Sequence, residues 1–353
     1  MNTYITGIGI YSSLGSNTQE VASALLNNKC SIAPHEDLIL AGFQSPQCAK
    51  VPEPSDSDLP KLHRHRALLT QAGRYAYVAA LEALKMAGQE DLLSGYAERN
   101  IGLIVSNDIT AQSVGEVKSK MEKYNDTDSL DSRDAFRTLN SNIAIALSSI
   151  FGFRSLTFTL GAACAGGLHA IGIADNLVRQ GLLDGCLVVG AQETGAISWC
   201  AFDKLQTGVE PSGGAAAVFI DNEIGFRESP KVKLAKIIGY GFSTGRSPIT
   251  PSSDAELKAI EMANEKVVGH IDLINAHLTG TEIGDRAEFD AMNAAFPDGG
   301  PEIWATKLQH GHELAMSGVS QVVETILVQK NKTIQINAFG FGGNNASLVI
   351  QTI

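Results

Sequence analysis

The stretch Thr159-Leu-Gly-Ala-Ala-Cys-Ala-Gly-Gly-Leu-His169 (TLGAACAGGLH) sets one cysteine, Cys164, among small residues between a strand-like run and a helix-like run. A cysteine at this junction lies near a helix N-terminus, which stabilises a thiolate. The flanking alanines and glycines leave the sulfur approachable and the backbone N–H groups free. Taken alone, the stretch fits two interpretations of Cys164, a nucleophile or a small buried hydrophobic residue.

Length and charge narrow the class of protein. The 353 residues suffice for two domains or one large layered unit. The formal net charge of −11 argues against nucleic acid as the main partner, because phosphate binding needs a surplus of Lys and Arg. Five cysteines without a CxxC pair or zinc spacing favour reduced thiols, so we expect a cytoplasmic protein.

Two observations bear on targeting and membranes. The first basic residue is Lys29, so the N-terminus lacks the charged start of a signal peptide. The stretch 155–174 carries no Asp, Glu, Lys or Arg, yet its glycines, threonines and histidine make it a poor membrane span. We therefore expect no membrane span and assign this stretch to the protein core.

Strand-like and helix-like segments alternate along the chain in a pattern that occurs twice. The opening strand 4–11 is echoed by 232–242, and each is followed by further strands and helices before two final strands. The predicted helices include 66–86, 165–180 and 313–330; the predicted strands include 101–105, 155–160, 186–190, 215–220, 271–275 and 302–306, with a hairpin over 333–353. We predict α/β layers with buried sheets and an internal duplication, with the halves at residues 1–225 and 226–353.

Two histidines follow predicted strands of the second half. His277 comes directly after 271–275 in a polar Thr/Gly loop, and His312 follows 302–306 with a glycine before it. Catalytic groups collect at the carboxyl ends of strands in α/β sheets, so these histidines and Cys164 form a candidate site. A metal site built from the three is an alternative, although no pair has the i, i+3 or i, i+4 spacing of helical ligands.

A fourth stretch, Asn337-Ala-Phe-Gly-Phe-Gly-Gly-Asn-Asn-Ala346, is rich in glycine. It is no dinucleotide-binding fingerprint, because no helix pattern follows it. The glycines fit either a flexible hairpin turn or a loop that brings a backbone N–H close to a substrate oxygen.

Together these stretches resemble the elongating β-ketoacyl-[acyl-carrier-protein] synthases of the thiolase superfamily. The resemblance covers nearly the whole chain. The motifs that carry it are Ala163-Cys-Ala-Gly-Gly167, Asn275-Ala-His with Thr279-Gly-Thr and Gly-Asp285, Thr306-Lys-x-x-x-Gly-His312, and Asn337-x-Phe-Gly-Phe-Gly-Gly343. Two histidines distinguish the elongating enzymes from initiating synthases, which place Asn at one position, and from thiolases, which use a second cysteine.

The resemblance implies a thiolase-like, five-layered α-β-α-β-α fold of two pseudo-duplicated halves, the first with the nucleophile and the second with both histidines and the Gly-rich loop. It implies a decarboxylative Claisen condensation, with no cofactor and no metal, in fatty-acid or polyketide-type biosynthesis. Cys164 would carry the acyl chain, and His277 and His312 would stabilise the enolate of the malonyl thioester. The N–H groups of Cys164 and Phe341 would form the oxyanion hole, Phe341 would gate the acyl pocket, and Lys307 would support His312.

Several positions depart from the family pattern. Gln321 replaces a glutamate that pairs with the lysine matching Lys307, a pairing that Glu324 is a candidate to take up. The chain is short over 203–213 and 330–337, and Leu278 and Leu308 replace small residues. These departures favour an alternative, a chain-length-factor-like partner subunit with little activity of its own. A cysteine protease or amidase is a third candidate, although it needs only one histidine.

The resemblance also implies partners. The basic run with Lys61, Arg64 and Arg66 lies where the family docks its acidic acyl carrier protein, although such a run also fits an ordinary solvated surface. The strand 155–160 alternates polar and apolar residues, which fits an internal strand or one that pairs with its twin across a two-fold axis. We therefore expect a homodimer, or a heterodimer with a paralogous ketosynthase.

Overall fold

The computed structural model describes residues 1–89, 92, 99–124, 126–222 and 232–353. Its strands are β1 Thr3–Tyr11, β2 Ala33–Pro34, β3 Gln47–Cys48, β4 Ile101–Ser106, β5 Thr157–Leu160, β6 Gly185–Gln192, β7 Gly214–Asn222, β8 Ala235–Thr244, β9 Leu273–Asn275, β10 Glu302–Trp304, β11 Thr333–Phe339 and β12 Asn344–Thr352.

Its helices are α1 Thr18–Leu26, α2 Glu36–Leu40, α3 His63–Arg66, α4 Gln71–Met86, α5 Ala111–Tyr124, α6 Ser132–Arg137, α7 Asn142–Phe151, α8 Gly166–Arg179, α9 Ala196–Leu205, α10 Ser253–Asn264, α11 Glu282–Ala295, α12 Lys307–His310 and α13 Ser317–Val328. Single 3₁₀ turns occur at Ala163–Ala165, Leu314–Met316 and Phe341–Gly343.

The large sheet repeats one topology twice. Its order in the described part of the chain is β10-β9-β11-β12-β8-β1-β7-β6-β4-β5. In the first half β4 lies parallel to β5 and β6, and β7 runs antiparallel to β6 and β1. In the second half β9 lies parallel to β10 and β11, and β12 runs antiparallel to β11 and β8. The halves meet at a short β1–β8 pairing. The predicted boundary between residues 225 and 226 lies outside the described residues.

The helices and the two halves of the sheet form five layers, which three hydrophobic clusters hold together. One packs α4 and α7 on the outer face of the first half. The largest lies between the two halves of the sheet and contains the apolar faces of α8 and α13. The third packs α10 and α11 on the outer face of the second half. The strands that face helices on both sides are apolar almost throughout, as buried sheets require. The predicted thiolase-like α/β fold class is confirmed.

The structure corrects two predicted helices. The helix predicted over 66–86 is divided, because Thr70 caps α4 by accepting the N–H of Gly73 on its Oγ1 at 3.2 Å, and only the four-residue α3 precedes it. The helix predicted from residue 313 begins later, at Ser317, because Leu314 has a φ of +49°. Within the described residues, no helix combines the length and apolarity needed to cross a membrane.

Candidate active site

The turn that carries Cys164 is formed by unusual backbone. Ala163 has a φ of +49°, and Cys164 lies in a single 3₁₀ turn that ends where α8 begins at Gly166. The loop after β11 approaches this turn so closely that a Cβ on Gly340 would lie 2.9 Å from the backbone nitrogen of Cys164. Glycine at position 340 therefore allows the Phe341 loop to lie against the cysteine.

The Phe341 loop completes the surroundings of the sulfur. The backbone N–H groups of Phe341 and of Cys164 itself both act on the thiol and favour its ionised form. The Phe341 ring stacks on Phe202 with centroids 6.1 Å apart, and both rings line the same cavity as Cys164. Both N–H groups thus act at the sulfur, and their role as an oxyanion hole stays a prediction.

The sulfur is less accessible than the small flanking residues predict. Cys164 is 7% exposed, and it opens onto a cavity of about 530 Å³. Burial raises the pKa of the Cys164 thiol to about 12; the Lys307 charge opposes the rise and the Asp108 carboxylate adds to it. This burial opposes ionisation of the thiol, so the thiolate expected at the N-terminus of α8 stays a prediction. The thiol needs a base in contact.

His312 is the side chain placed to act as a base for this thiol. Its Nε2 lies 3.0 Å from Cys164 Sγ, and its Nδ1 lies 3.0 Å from Ser317 Oγ. Its N–H donates to the carbonyl of Glu210 at 2.7 Å, and its carbonyl accepts the N–H of Ser212 at 2.9 Å, so the short 203–213 segment holds it in place. Burial, Lys307 and His310 together hold the pKa of His312 well below its usual range. The imidazole is neutral and can accept the thiol proton.

His277 faces His312 at the same wall. Their ring centroids lie 5.2 Å apart at an interplanar angle of 86°. The Glu288 carboxylate accepts the backbone N–H groups of His277 and Leu278, each at 2.8 Å, and so fixes the loop after β9. Burial, Lys307 and His312 lower the pKa of His277 well below its usual range, and no described residue bonds to its Nδ1. Both histidines are therefore neutral.

Lys307 supplies a buried charge beside all three groups. It is 4% exposed, and no described residue hydrogen-bonds to its Nζ. Burial lowers the pKa of Lys307, and the carboxylates of Glu288, Glu324 and Glu313 oppose that change. Because its charge favours neutral histidines and an ionised cysteine, it can act on the site without touching a substrate.

Gln321 does not replace the family's glutamate as a partner of Lys307. Its Nε2 lies within 3.1–3.3 Å of four oxygens, the carbonyls of Asn275, Ala276 and Asn337 and the side-chain oxygen of Asn275. These acceptors belong to the last residue of β9, to the residue after it and to β11. Gln321 therefore holds the strand that precedes His277.

Sequence reasoning missed a buried ionic cluster behind His312. His310 Nε2 lies 3.0 Å from Glu324 Oε1, and its Nδ1 lies 3.6 Å from Glu313 Oε1. Ser320 donates a hydrogen bond to Glu313. Burial lowers the pKa of His310, but the two carboxylates outweigh it and raise the value to about 9. Glu324 thus pairs mainly with His310, and only the i, i+3 spacing of His310 and Glu313 was visible in the sequence.

Among the described residues, two sets of side chains have the donor atoms of a metal site. The ligand atoms of Cys164, His277 and His312 lie within 4.8 Å of one another. The same holds for His310, Glu313 and Glu324, which we call the His310 cluster. The Lys307 ammonium acts on both sets, and a positive charge in a buried site disfavours a divalent cation. In the His310 cluster the two ring nitrogens face different carboxylates, which fits an imidazolium held between them.

The predicted docking residues lie away from the cavity. Lys61 and Arg64 are exposed and Arg66 is partly exposed, and none of them lines the cavity of Cys164. Arg66 borders a separate surface groove of about 280 Å³ with further basic residues, Arg74, Lys120, Arg133 and Arg137. Most of that groove's charge is paired with Asp131, Asp134 and Glu116. Sequence reasoning did not include these partners.

Comparison with known proteins places the chain in a family. The N-terminal and C-terminal domains of β-ketoacyl synthase match residues 3–228 and 234–338. The 3-oxoacyl-[acyl-carrier-protein] synthase 1 of Buchnera aphidicola from Acyrthosiphon pisum is 29% identical over 98% of each chain. The Escherichia coli K12 protein of that name is 25% identical over 99% of this chain and 98% of its own.

The Buchnera alignment runs over 405 positions, more than the 353 residues of this chain, so that relative carries segments that this chain lacks. Among solved structures, the ishigamide ketosynthase/chain length factor has a TM-score of 0.89 at 22% identity, covering 100% of this chain and 99% of its own. A chain of the AntDE:AntF complex of a ketosynthase with its acyl-carrier protein has a TM-score of 0.87 at 19% identity, with the same coverage. The chain belongs to the β-ketoacyl synthase family.

Proposed function

We propose that this protein is a β-ketoacyl-[acyl-carrier-protein] synthase that condenses an acyl chain on Cys164 with a malonyl group on acyl carrier protein, with loss of CO2. The observation that carries the proposal is the contact of Cys164 Sγ with His312 Nε2 at 3.0 Å, with His277 beside them in one cavity. A thiol is suited to this reaction because it is both a good nucleophile and a good leaving group.

The first half-reaction loads the acyl chain. His312 takes the proton of the Cys164 thiol, and the sulfur attacks the carbonyl of the acyl thioester. The N–H groups of Cys164 and Phe341 stabilise the oxyanion. The carrier thiolate leaves and receives the proton from His312, so the step exchanges one thioester for another. The high pKa of the free thiol makes the 3.0 Å contact with His312 necessary for this step.

The second half-reaction forms the new carbon–carbon bond. Negative charge develops on the thioester oxygen of malonyl carrier as CO2 leaves, and the neutral rings of His277 and His312 donate hydrogen bonds to it. For this step His312 takes the tautomer with its proton on Nε2, whereas it accepts the thiol proton in the tautomer with its proton on Nδ1. The enolate carbon attacks the acyl carbonyl on Cys164, and the Cys164 thiolate is expelled. One proton from solvent, passed through His312, restores the thiol. Lys307 stabilises the thiolate and keeps both histidines neutral.

The alternative function is a chain-length-factor-like subunit that shapes a partner's pocket. Gln321 favours it, because its amide serves the backbone of β9 and leaves Lys307 without the family's glutamate. The cavity with Cys164 and both histidines favours the enzyme, because a subunit that only shapes a pocket has no need of all three.

Both functions are tested on the purified protein with acyl- and malonyl-carrier thioesters. We expect intact-protein mass spectrometry to find the acyl group on Cys164, and CO2 to be released from malonyl carrier without any other subunit. If neither half-reaction occurs alone but the protein raises the activity of a paralogous ketosynthase, the subunit function is correct and the enzyme proposal is wrong.

We also propose that Lys61, Arg64 and Arg66 dock the carrier protein. Their exposure supports this assignment, since acyl carrier proteins are acidic and charge complementarity speeds encounter. Replacing Arg64 and Arg66 by Glu should raise the KM for carrier substrates and weaken its salt dependence, and leave malonyl-pantetheine unaffected. Lys85→Glu, at the exposed far end of α4, is the matched control. An unchanged KM would remove this docking site.

We further propose that the protein forms a dimer through β5. In the described part of the chain β5 is an edge strand of the large sheet, and Leu156 beside it is 44% exposed. An open edge of this kind pairs readily with another strand. We expect β5 to pair with its twin in a homodimer or with a paralogous ketosynthase. A monomer by light scattering at micromolar concentration, alone and with such a paralogue, would contradict this.

A further inference from the structure

The active-site cavity contains a buried carboxyl group that the reaction above does not use. Glu256, on α10, lines the cavity together with Cys164, His277 and His312. The residue is only 2% exposed, and its Oε2 has no hydrogen-bond partner among the described residues. A polar atom that is buried without a partner costs free energy, so its presence at a substrate cavity points to a ligand that supplies the missing bond.

The surroundings of Glu256 determine its protonation. From α11 it faces Glu288, whose carboxylate accepts N–H groups of His277, Leu278 and Asn337 at 2.8–3.1 Å. The nearby parts of β8 and β12 present the uncharged Ser243 and Asn345, which bond to each other, and His277 on the same wall is neutral. Burial, and then the Glu288 charge, raise the pKa of Glu256 to about 8.

Of the two carboxyl groups, Glu256 therefore holds the proton. Glu288 has three N–H donors and Glu256 has none for its Oε2, so ionised Glu288 is the better stabilised of the two. A neutral carboxyl group offers an O–H donor beside a carbonyl acceptor. That pair matches the carbonyl and N–H of a secondary amide.

The cavity also indicates which part of a substrate reaches Glu256. Its lining runs from the buried Cys164 to Ile249 and Ile283, which are 56% and 66% exposed. A thioester tethered to a carrier has to cross this cavity from the surface to the sulfur. The pantetheine arm of such a substrate contains two secondary amides. Thr279 and Thr281 line the same passage.

We propose that neutral Glu256 binds an amide group of the substrate's pantetheine arm through its O–H and carbonyl oxygen, as a positioning residue for the condensation. The proposal rests on the proposed function, because it takes the carrier-bound thioester as the substrate. It predicts weaker binding as the pH rises through about 8. Ionised Glu256 loses its donor and places a second carboxylate beside Glu288.

The test compares CO2 release from malonyl-pantetheine at about pH 7 and pH 9. We expect the wild-type KM to rise several-fold at the higher pH with a smaller change in kcat. Glu256→Gln keeps a donor and an acceptor but cannot ionise, so its KM should stay near the wild-type value for pH 7 at both pH values. Glu256→Met should have a raised KM at both. Retention of the wild-type pH dependence by Glu256→Gln, or a normal KM in Glu256→Met, would overturn the proposal.

A control variant and an amide-free substrate exclude other origins of the effect. Glu193 is a buried carboxyl outside this cavity, bonded to Ser198 and Gln112, and Glu193→Gln should follow the wild-type pH dependence. With malonyl ethyl thioester, which has no amide, wild type and Glu256→Met should have the same KM. A difference between them would show that Glu256 contacts the acyl group instead, and the amide proposal would fail.

Binding without turnover separates this inference from the proposed function. Calorimetry with pantetheine alone should show binding at about pH 7 that weakens at pH 9 in wild type, stays constant in Glu256→Gln and is reduced in Glu256→Met. If malonyl carrier releases no CO2 but this binding pattern holds, the proposed reaction fails while the role of Glu256 stands. If CO2 is released but the variants bind pantetheine like wild type, only the inference is wrong.

Discussion

The two halves of the molecule build the same turn and place different side chains on it. In each half a single 3₁₀ turn precedes the central helix, and its first residue has a φ of +49°, at Ala163 in the first half and at Leu314 in the second. The next residue is Cys164 in one turn and Ala315 in the other. The backbone of this turn therefore does not require a thiol, since the equivalent turn of the second half carries only the methyl group of Ala315.

A second pair of equivalent positions shows the same division. β4 and β9 occupy the same place in their half-sheets, and two residues beyond their ends stand Asp108 and His277. The halves touch at their centre, where Ser106 Oγ donates to the carbonyl of Ala315 at 2.8 Å. The duplication supplies two sets of strand ends around one cavity. In the proposed mechanism the nucleophile comes from one half, and the hydrogen-bond donors come from the other.

The largest expected effect comes from moving the thiol between the two turns. Cys164→Ala should abolish acyl-enzyme formation but still release CO2 from malonyl carrier, because decarboxylation uses the histidines and not the sulfur. Adding Ala315→Cys to that variant should not restore acylation, since His312 Nε2 faces position 164 at 3.0 Å. Intact-protein mass spectrometry checks both variants. An acyl group on the cysteine at position 315 would show that the turn alone activates the thiol.

Removing the donors of the second half should separate the two half-reactions in the opposite sense. His277→Ala should still accept acyl groups on Cys164 and lose decarboxylation by about 10²–10⁴-fold, the usual scale for a positioned donor. His312→Ala should lose decarboxylation to a similar extent and also load more slowly, because His312 is the base for the thiol. Rates of CO2 release and of acylation measured on the same samples decide this. Near wild-type condensation in both variants would refute the mechanism.

The contact between the central helices is duplicated as well, and its two sides can be compared. A Cβ on Gly318 would lie 2.5 Å from the nitrogen of Leu168, and one on Gly167 would lie 2.8 Å from the nitrogen of Val319. Alanine at either position should lower the free energy of unfolding by about 1–3 kcal/mol, as overpacking does, with the larger loss at Gly318. Gly300→Ala, with only Phe296 Cβ at 3.8 Å, is the control. Denaturant titration measures the free energy of unfolding of the three variants. If alanine at Gly167 and Gly318 left it equal to wild type, the two helices would be able to move apart at little cost.

Much of the site could be predicted from the sequence, because the positions of its residues relative to strands and glycines are visible in short stretches of the chain. Cys164 and His277 lie within four residues of the ends of β5 and β9, and the carboxyl ends of strands converge in α/β sheets. His312 was expected directly after a strand over 302–306, but β10 ends at Trp304 and the short helix α12 lies between that strand and His312. The duplication was visible because strands that are buried on both faces are apolar in both halves. The Gly-rich stretch fitted either a hairpin turn or a close backbone approach, and Gly340 has the close approach, since a Cβ there would lie 2.9 Å from the nitrogen of Cys164.

The remaining features depend on contacts between distant segments. Glu256 lies on α10 and Glu324 on the almost wholly buried α13, where a buried carboxylate has no local signature, and their partners come from other elements. The burial of Cys164 likewise arises from the Phe341 loop, which lies far along the chain. The break at Thr70 was missed because 66–86 is rich in good helix formers, while one capping hydrogen bond decides where α4 begins.

The smallest expected effect tests Asp108, the first-half counterpart of His277. Burial raises the pKa of Asp108 to about 6 against the opposing N–H of Ala163, and the ionised carboxylate in turn raises the pKa of the Cys164 thiol. Asp108→Asn should therefore load acyl groups roughly two- to tenfold faster above about pH 6. The reason is that removing the charge lowers the pKa of the Cys164 thiol by at most ~1 unit.

Below that pH the two proteins should load at the same rate, because wild-type Asp108 is then protonated and carries no charge. Acylation rates by mass spectrometry between about pH 5 and 8 measure the difference, with the exposed Asp298→Asn as control. A uniform change at every pH would mean that the asparagine alters the turn at Ala163 and not its electrostatics. A rate gain confined to the higher pH would show that the charge of Asp108 restrains the Cys164 thiol, at the position where His277 stands in the second half.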